Sequence, residues 1–126
     1  MKGRFLFTVA CLVFILFITA AASAPDFAGT WLGKTEVPDQ GTDELILVLK
    51  KGESGYSGTI TDSLGMIVKE TELKEIKVED KAISFKFPLV DGTMISVKLT
   101  LDGDKMTGAW EHPEGGSGAI ELEKKK

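Results

Sequence analysis

Side chains able to do chemistry are few in this sequence, and their spacing narrows the options further. The one histidine, His112, sits between Glu111 and Pro113. Adjacent positions on an extended chain point to opposite faces, so Glu111 and His112 make no acid–base pair there. No second His exists, and the only Cys, Cys11, lies in the apolar front segment, which leaves no zinc set. A Ser-His-Asp arrangement cannot be assembled around a single loop histidine. Asp102-Gly103-Asp104 lacks the regular run of oxygen ligands that a calcium loop needs and reads as a hairpin turn. Asp39 with Asp43, and Asp62 with Ser63, are expected in loops, with no partner set for proton transfer. The run Lys124-Lys125-Lys126 is too short for a membrane-binding basic patch. The sequence therefore predicts no catalytic residue, no metal site, no cofactor and no enzyme.

What remains is recognition by apolar surface, which depends on the elements that gather it. From Asp26 onward apolar and polar residues alternate in short runs separated by turn signals, the signature of half-buried strands. Eight runs are predicted: Phe27 to Thr35, Glu44 to Lys50, Tyr56 to Thr61, Met66 to about Val78, Ala82 to Phe87, Thr93 to Leu101, Lys105 to Glu111, and Ser117 to Glu123. In the fourth, Leu73, Ile76 and Val78 break the period of two. That break fits a bulge or two short strands, and Glu70 to Lys77 also fits a turn or two of amphipathic helix. No stretch is long enough for a helical crossover, so successive strands are antiparallel neighbours. A meander of this length exposes two edges unless it closes, and eight strands close a small barrel. The predicted fold is an all-β, eight-stranded, antiparallel up-and-down β-barrel.

Four segments share a local pattern: Ala28-Gly29-Thr30-Trp31, Ser57-Gly58-Thr59-Ile60, Thr107-Gly108-Ala109-Trp110 and Ser117-Gly118-Ala119-Ile120. Each places a Gly on the same face as the large residue two positions on. An inward strand Gly allows a sharp bend and makes room for a bulky neighbour across the barrel. The apolar face carries Trp31, Leu47, Ile60, Phe85, Val97, Leu99 and Leu122, whereas the alternate face carries mostly Thr, Ser, Lys and Glu. Ile46 and Val48 break that polar face, fitting either packing under a loop or a weak dimer contact. The expected state is a monomer or weak homodimer. The residues expected to line an internal site are Tyr56, Phe85, Phe87, Met94, Met106 and Trp110.

The front of the chain has a separate purpose. Lys2 and Arg4 precede an almost unbroken apolar stretch from Phe5 to Ile18, followed by Thr19-Ala20-Ala21-Ala22-Ser23-Ala24. This reads as a signal peptide over 1–24, cut after Ala22 or Ala24, with an uncleaved anchor as the alternative. The domain then spans 25–126, outside the cytoplasm, secreted or periplasmic, with no membrane insertion once the leader is removed. It holds 13 Lys and 19 acidic residues with no Arg or Cys, for a net charge of −6. Disulfides and thiol chemistry are excluded for it, and an acidic, Arg-free surface excludes nucleic acid.

Gly29-Thr30-Trp31, with Phe27 just ahead at the start of a strand meander, resembles the opening G-x-W of the calycins, that is, lipocalins and fatty-acid-binding proteins. The spaced glycines at Gly29, Gly33, Gly58 and Gly108 also resemble small secreted bacterial lipocalin-like domains, some of them appended to hydrolases. The resemblance spans about Asp26 to Glu123. It implies a barrel whose Trp31 plugs one end and whose other end admits a small apolar or amphipathic molecule. The chain departs from those families in having no Arg after Arg4. Neither the Arg that packs on the lipocalin Trp nor the Arg-Tyr carboxylate clamp of fatty-acid-binding proteins is present. Lys124 is positioned to cover Trp31, although a Lys does not reproduce a bidentate clamp. The leading expectation is binding of a small hydrophobic molecule, neutral at its buried end. The competing one is a barrel filled by its own side chains, serving as a structural or protein-interaction domain of the cell envelope.

Overall fold

The computed structural model describes residues 25–126. The predicted leader, its cleavage after Ala22 or Ala24 and its anchor alternative lie outside the described residues. Nine strands succeed one another in chain order: β1 (Gly29–Val37), β2 (Gly41–Gly52), β3 (Gly55–Asp62), β4 (Thr71–Glu72), β5 (Lys74–Glu79), β6 (Ala82–Pro88), β7 (Met94–Asp102), β8 (Lys105–Glu111) and β9 (Ser117–Lys124). They form one antiparallel sheet in the order β4-β3-β2-β1-β9-β8-β7-β6-β5. The last strand returns to the first, Trp31 opposite Lys124 and Thr35 opposite Ile120. The two edge strands, β4 and β5, are separated in the chain by Leu73 alone. The result is an up-and-down barrel, nearly closed, with its one seam at a bend in the chain.

That bend corrects the predicted count of eight. The fourth run does not begin as a strand at Met66. Asp62 instead accepts hydrogen bonds from the amides of Met66 and Ile67, at 3.1 Å each, and holds the segment in a loop. Thr61 Oγ1 accepts from the Glu70 amide, and Thr71 Oγ1 donates to the Val68 carbonyl at 2.6 Å. Beyond this loop the chain divides between two partners. Thr71 and Glu72 pair with β3, and the Leu73 amide donates to the Gly58 carbonyl at 3.0 Å. The later residues pair with β6, with a register shift between Lys74 and Lys77 and Glu75 at a φ of 51°. Both the bulge and the two short strands occur, because Leu73 and Ile76 pack on the core three positions apart, where a flat strand repeats every two. The helical alternative for Glu70 to Lys77 is not adopted.

Elsewhere the alternation sorts the faces as the period of two requires. Trp31, Phe27, Ile83 and Met106 are fully enclosed, and Leu47, Leu49 and Leu99 nearly so. Ile46, 44% exposed, lies opposite Leu32, 41% exposed, on the outer surface, so Ile46 is not covered by a loop. Val48 is half-buried.

Inward glycines let the strands curl. A methyl group added at Gly108 would run into the Lys98 carbonyl, at Gly33 into that of Glu121, and at Gly58 into that of Val48. At Gly118 it would lie 2.5 Å from Trp110 Nε1, because the indole of the facing strand occupies that space. Gly29 differs from the predicted pattern: it bounds no neighbouring backbone but accommodates the Lys124 side chain.

Candidate functional site

The barrel has unlike ends. One is filled. There Trp31 Nε1 donates to the Phe27 carbonyl at 3.0 Å, the Phe27 ring meets Tyr56 edge-on at 5.9 Å, and the Tyr56 hydroxyl accepts from the Phe27 amide at 3.2 Å. Lys124 Nζ stands 5.5 Å from the centre of the Trp31 ring. A cation over an indole face is a favourable pairing.

The opposite half encloses a cavity of about 280 Å³. Its walls are Leu45, Leu47, Ile60, Phe85, Phe87, Ile95, Val97, Leu99, Ile120 and Leu122. Its rim is formed by Val37, Pro38, Met66, Leu89, His112, Gly115 and Gly116, from the β1–β2, β3–β4, β6–β7 and β8–β9 connections. That volume is just under the common range for small-molecule sites. Apolar cavities roughly half as large, about 150 Å³, already take up benzene.

Of the six side chains predicted to line a site, Phe85, Phe87 and Trp110 do line this cavity. Three do not. Tyr56 belongs to the filled end, bonded to Phe27, and Met106 is sealed in the core outside the cavity lining. Met94 falls on the outer face, since Ile95 and Val97 are the buried positions of β7 and the period of two excludes their neighbour.

Two polar wall residues escape a reading of the sequence alone. Thr35, 6% exposed, donates its hydroxyl to the Ala119 carbonyl at 2.6 Å and accepts from Trp110 Nε1 at 2.9 Å. It thereby fixes the indole in the wall. Asp43, 3% exposed, lies within β2 and not in a loop. It shares an inward parity with Leu45, Leu47 and Leu49, and that parity was the signal available in the sequence. Asp43 Oδ1 accepts from the Ser63 amide at 2.9 Å, the Ser63 hydroxyl at 3.1 Å and the Leu64 amide at 3.0 Å. Burial, and then the neighbouring Asp62 carboxyl, push its pKa above the ordinary carboxylate value, against the pull of the Leu64 and Ser63 amides.

His112 is half-buried at the rim, where its Nδ1 accepts from the Glu114 amide at 3.1 Å. Asp91, in the β6–β7 turn, is held below the usual carboxylate range by the Thr93 amide and hydroxyl, with His112 contributing less. No cluster of three or more His, Cys, Asp or Glu side chains among the described residues is arranged to hold a metal ion.

No protein family and no curated protein matches the chain in sequence. A solved structure described as the de novo design of a fluorescence-activating beta barrel is similar in shape. The TM-score is 0.54 at 17% identity, over 79% of this chain and 94% of that one. At that identity the likeness establishes the fold alone, an antiparallel β-barrel.

Proposed function

We propose that this protein is a small-molecule-binding barrel of lipocalin-like architecture that works outside the cytoplasm, after removal of its leader, as a secreted or periplasmic binding protein and not as an enzyme. The observation that carries this reading is the one-ended apolar cavity, walled by Leu, Ile, Val and Phe and opening between loops opposite the Trp31 plug. The Trp31–Lys124 pairing supports the lipocalin-like comparison, with Lys124 occupying the place where lipocalins use Arg. The structural neighbour is described as fluorescence-activating, a property of that barrel that is in keeping with a usable interior.

The expected ligand is small and apolar at its buried end. Burying about 250 Å² of ligand surface gains about 6 kcal/mol before the losses of association, which places affinity no tighter than roughly tens of micromolar. Among the described residues the walls hold no Lys or Arg to neutralise a deeply buried carboxylate. Titration with the neutral dye Nile red, followed by displacement with octanol and methyl octanoate, tests the reading. Val97→Phe, which adds bulk inside the cavity, is expected to weaken uptake about tenfold or more. Dye uptake that ignores Val97→Phe, or no uptake at all, would leave a filled, non-binding barrel as the better account.

A further inference from the structure

The cavity has one charged side chain in its wall, and that side chain is only half satisfied. Asp43 Oδ1 takes three hydrogen bonds, whereas Oδ2 accepts none from the described residues. The Asp62 carboxyl lies within side-chain hydrogen-bonding reach of Asp43, and its own oxygens accept the Met66 and Ile67 amides, so unless the two carboxyls share a proton Asp62 brings like charge and not a donor. Among the described residues no cation pairs with either group: the ion pairs are Lys86 with Glu75 and Lys126 with Asp104, both exposed. Every fully buried side-chain polar atom among the described residues has a partner, so Oδ2 keeps some accessible surface, and Asp43 is one of the side chains that line the cavity.

We propose that the cavity takes molecules with an apolar tail and a protonated amine head, the head seated on Asp43 Oδ2. The proposal rests on the ligand-binding reading above and names the ligand class. An ammonium brings three donors and a positive charge to an oxygen, Oδ2, that has neither from the described residues. An alcohol brings one donor and no charge. A carboxylate head is repelled by Asp43 and Asp62, and among the described residues the rim holds no lysine to offset that repulsion.

Nile red displacement from the protein by octylamine, octanol and octanoate, matched in tail length, tests this at neutral pH. A hydrogen bond to a charged group sets the scale, so octylamine is expected to bind about tenfold or more tightly than octanol, and octanoate more weakly than either. Asp43→Asn is expected to bring amine and alcohol within about threefold, given far-UV circular dichroism matching the parent. On the unmodified protein, the ¹³C resonance of the Asp43 carboxyl is expected to move with octylamine and stay fixed with octanol. That readout decides the matter even if the variant fails to fold. Equal binding of amine and alcohol, or an amine preference that survives Asp43→Asn, overturns the Asp43 assignment and leaves the apolar cavity reading intact. Failure of all three ligands and of the dye overturns both.

Discussion

Replacing Gly108 with Ala adds one methyl group, and the structure says where that group must go. The methyl overlaps the Lys98 carbonyl oxygen and lies 2.9 Å from Leu99 Cα and from the Lys98 carbonyl carbon. All three obstacles are backbone atoms of the paired strand, so no side-chain rotation relieves them. The Leu99–Gly108 register must open or the strands must flatten. Overpacking commonly costs about 1–3 kcal/mol, and a rigid obstacle puts Gly108→Ala at the upper end, about 3 kcal/mol. For a domain of this size that corresponds to a fall of roughly 10–20 °C in Tm. Gly52→Ala is the matched control. It is also a strand glycine without a left-handed φ, but its nearest obstacle is the Gly55 carbonyl at 3.4 Å. Its effect is expected to stay within about 0.5 kcal/mol. Urea and thermal unfolding followed by far-UV circular dichroism measure both. Effects within about 1 kcal/mol of each other would mean that β7 and β8 are not pressed together by curvature, and the closed-barrel argument would fail.

Trp31→Ala removes a fully enclosed indole from the filled end and is expected to cost about 3–5 kcal/mol in urea unfolding; a cost under about 1 kcal/mol would put Trp31 on the surface. Thr35→Val leaves Trp110 Nε1 and the Ala119 carbonyl without their partner, with an expected loss of about 1–3 kcal/mol and a shift in Trp110 emission. Asp43 has a folded pKa above its unfolded value, so the folded state holds the extra proton between the two values and loses stability as pH rises through the folded one. Asp43→Asn, which carries no charge, is therefore expected to melt above the parent at neutral pH, the gap closing as the pH is lowered into the acid range. A parent protein that melts higher at neutral pH would refute the sign.

Much of the barrel was legible because a period of two is a geometric statement that neighbours seldom override. Leu45, Leu47 and Leu49, or Ile83, Phe85 and Phe87, had only one way to face the core. The seam was visible as an irregularity at Leu73 and Ile76, but its division between two partners depends on Asp62 capturing the Met66 and Ile67 amides. That contact is a tertiary choice with no periodic signature. The site was half legible for a related reason. Phe85, Phe87 and Trp110 follow from parity alone, whereas the boundary between cavity and filled base depends on where along each strand a side chain sits. Parity does not report that height, so Tyr56 and Met106 share the parity of the lining residues without reaching the cavity. Asp43 was obscured by its neighbours: amid Asp39, Gly41 and Thr42 it looks like a turn residue, and only its phase with Leu45 places it inside.

The central claim is that a small apolar molecule enters the half of the barrel away from Trp31. Methyl resonances of Leu, Ile and Val, followed by NMR during titration with octanol, test it most directly. Saturable shifts are expected at Leu47, Ile60, Ile95, Val97 and Leu99, which line the cavity, with Ile83 and Leu101 at the filled end and Leu32 and Ile46 on the outer face unmoved. Shifts concentrated at Leu32 and Ile46, or none that saturate, would contradict the account.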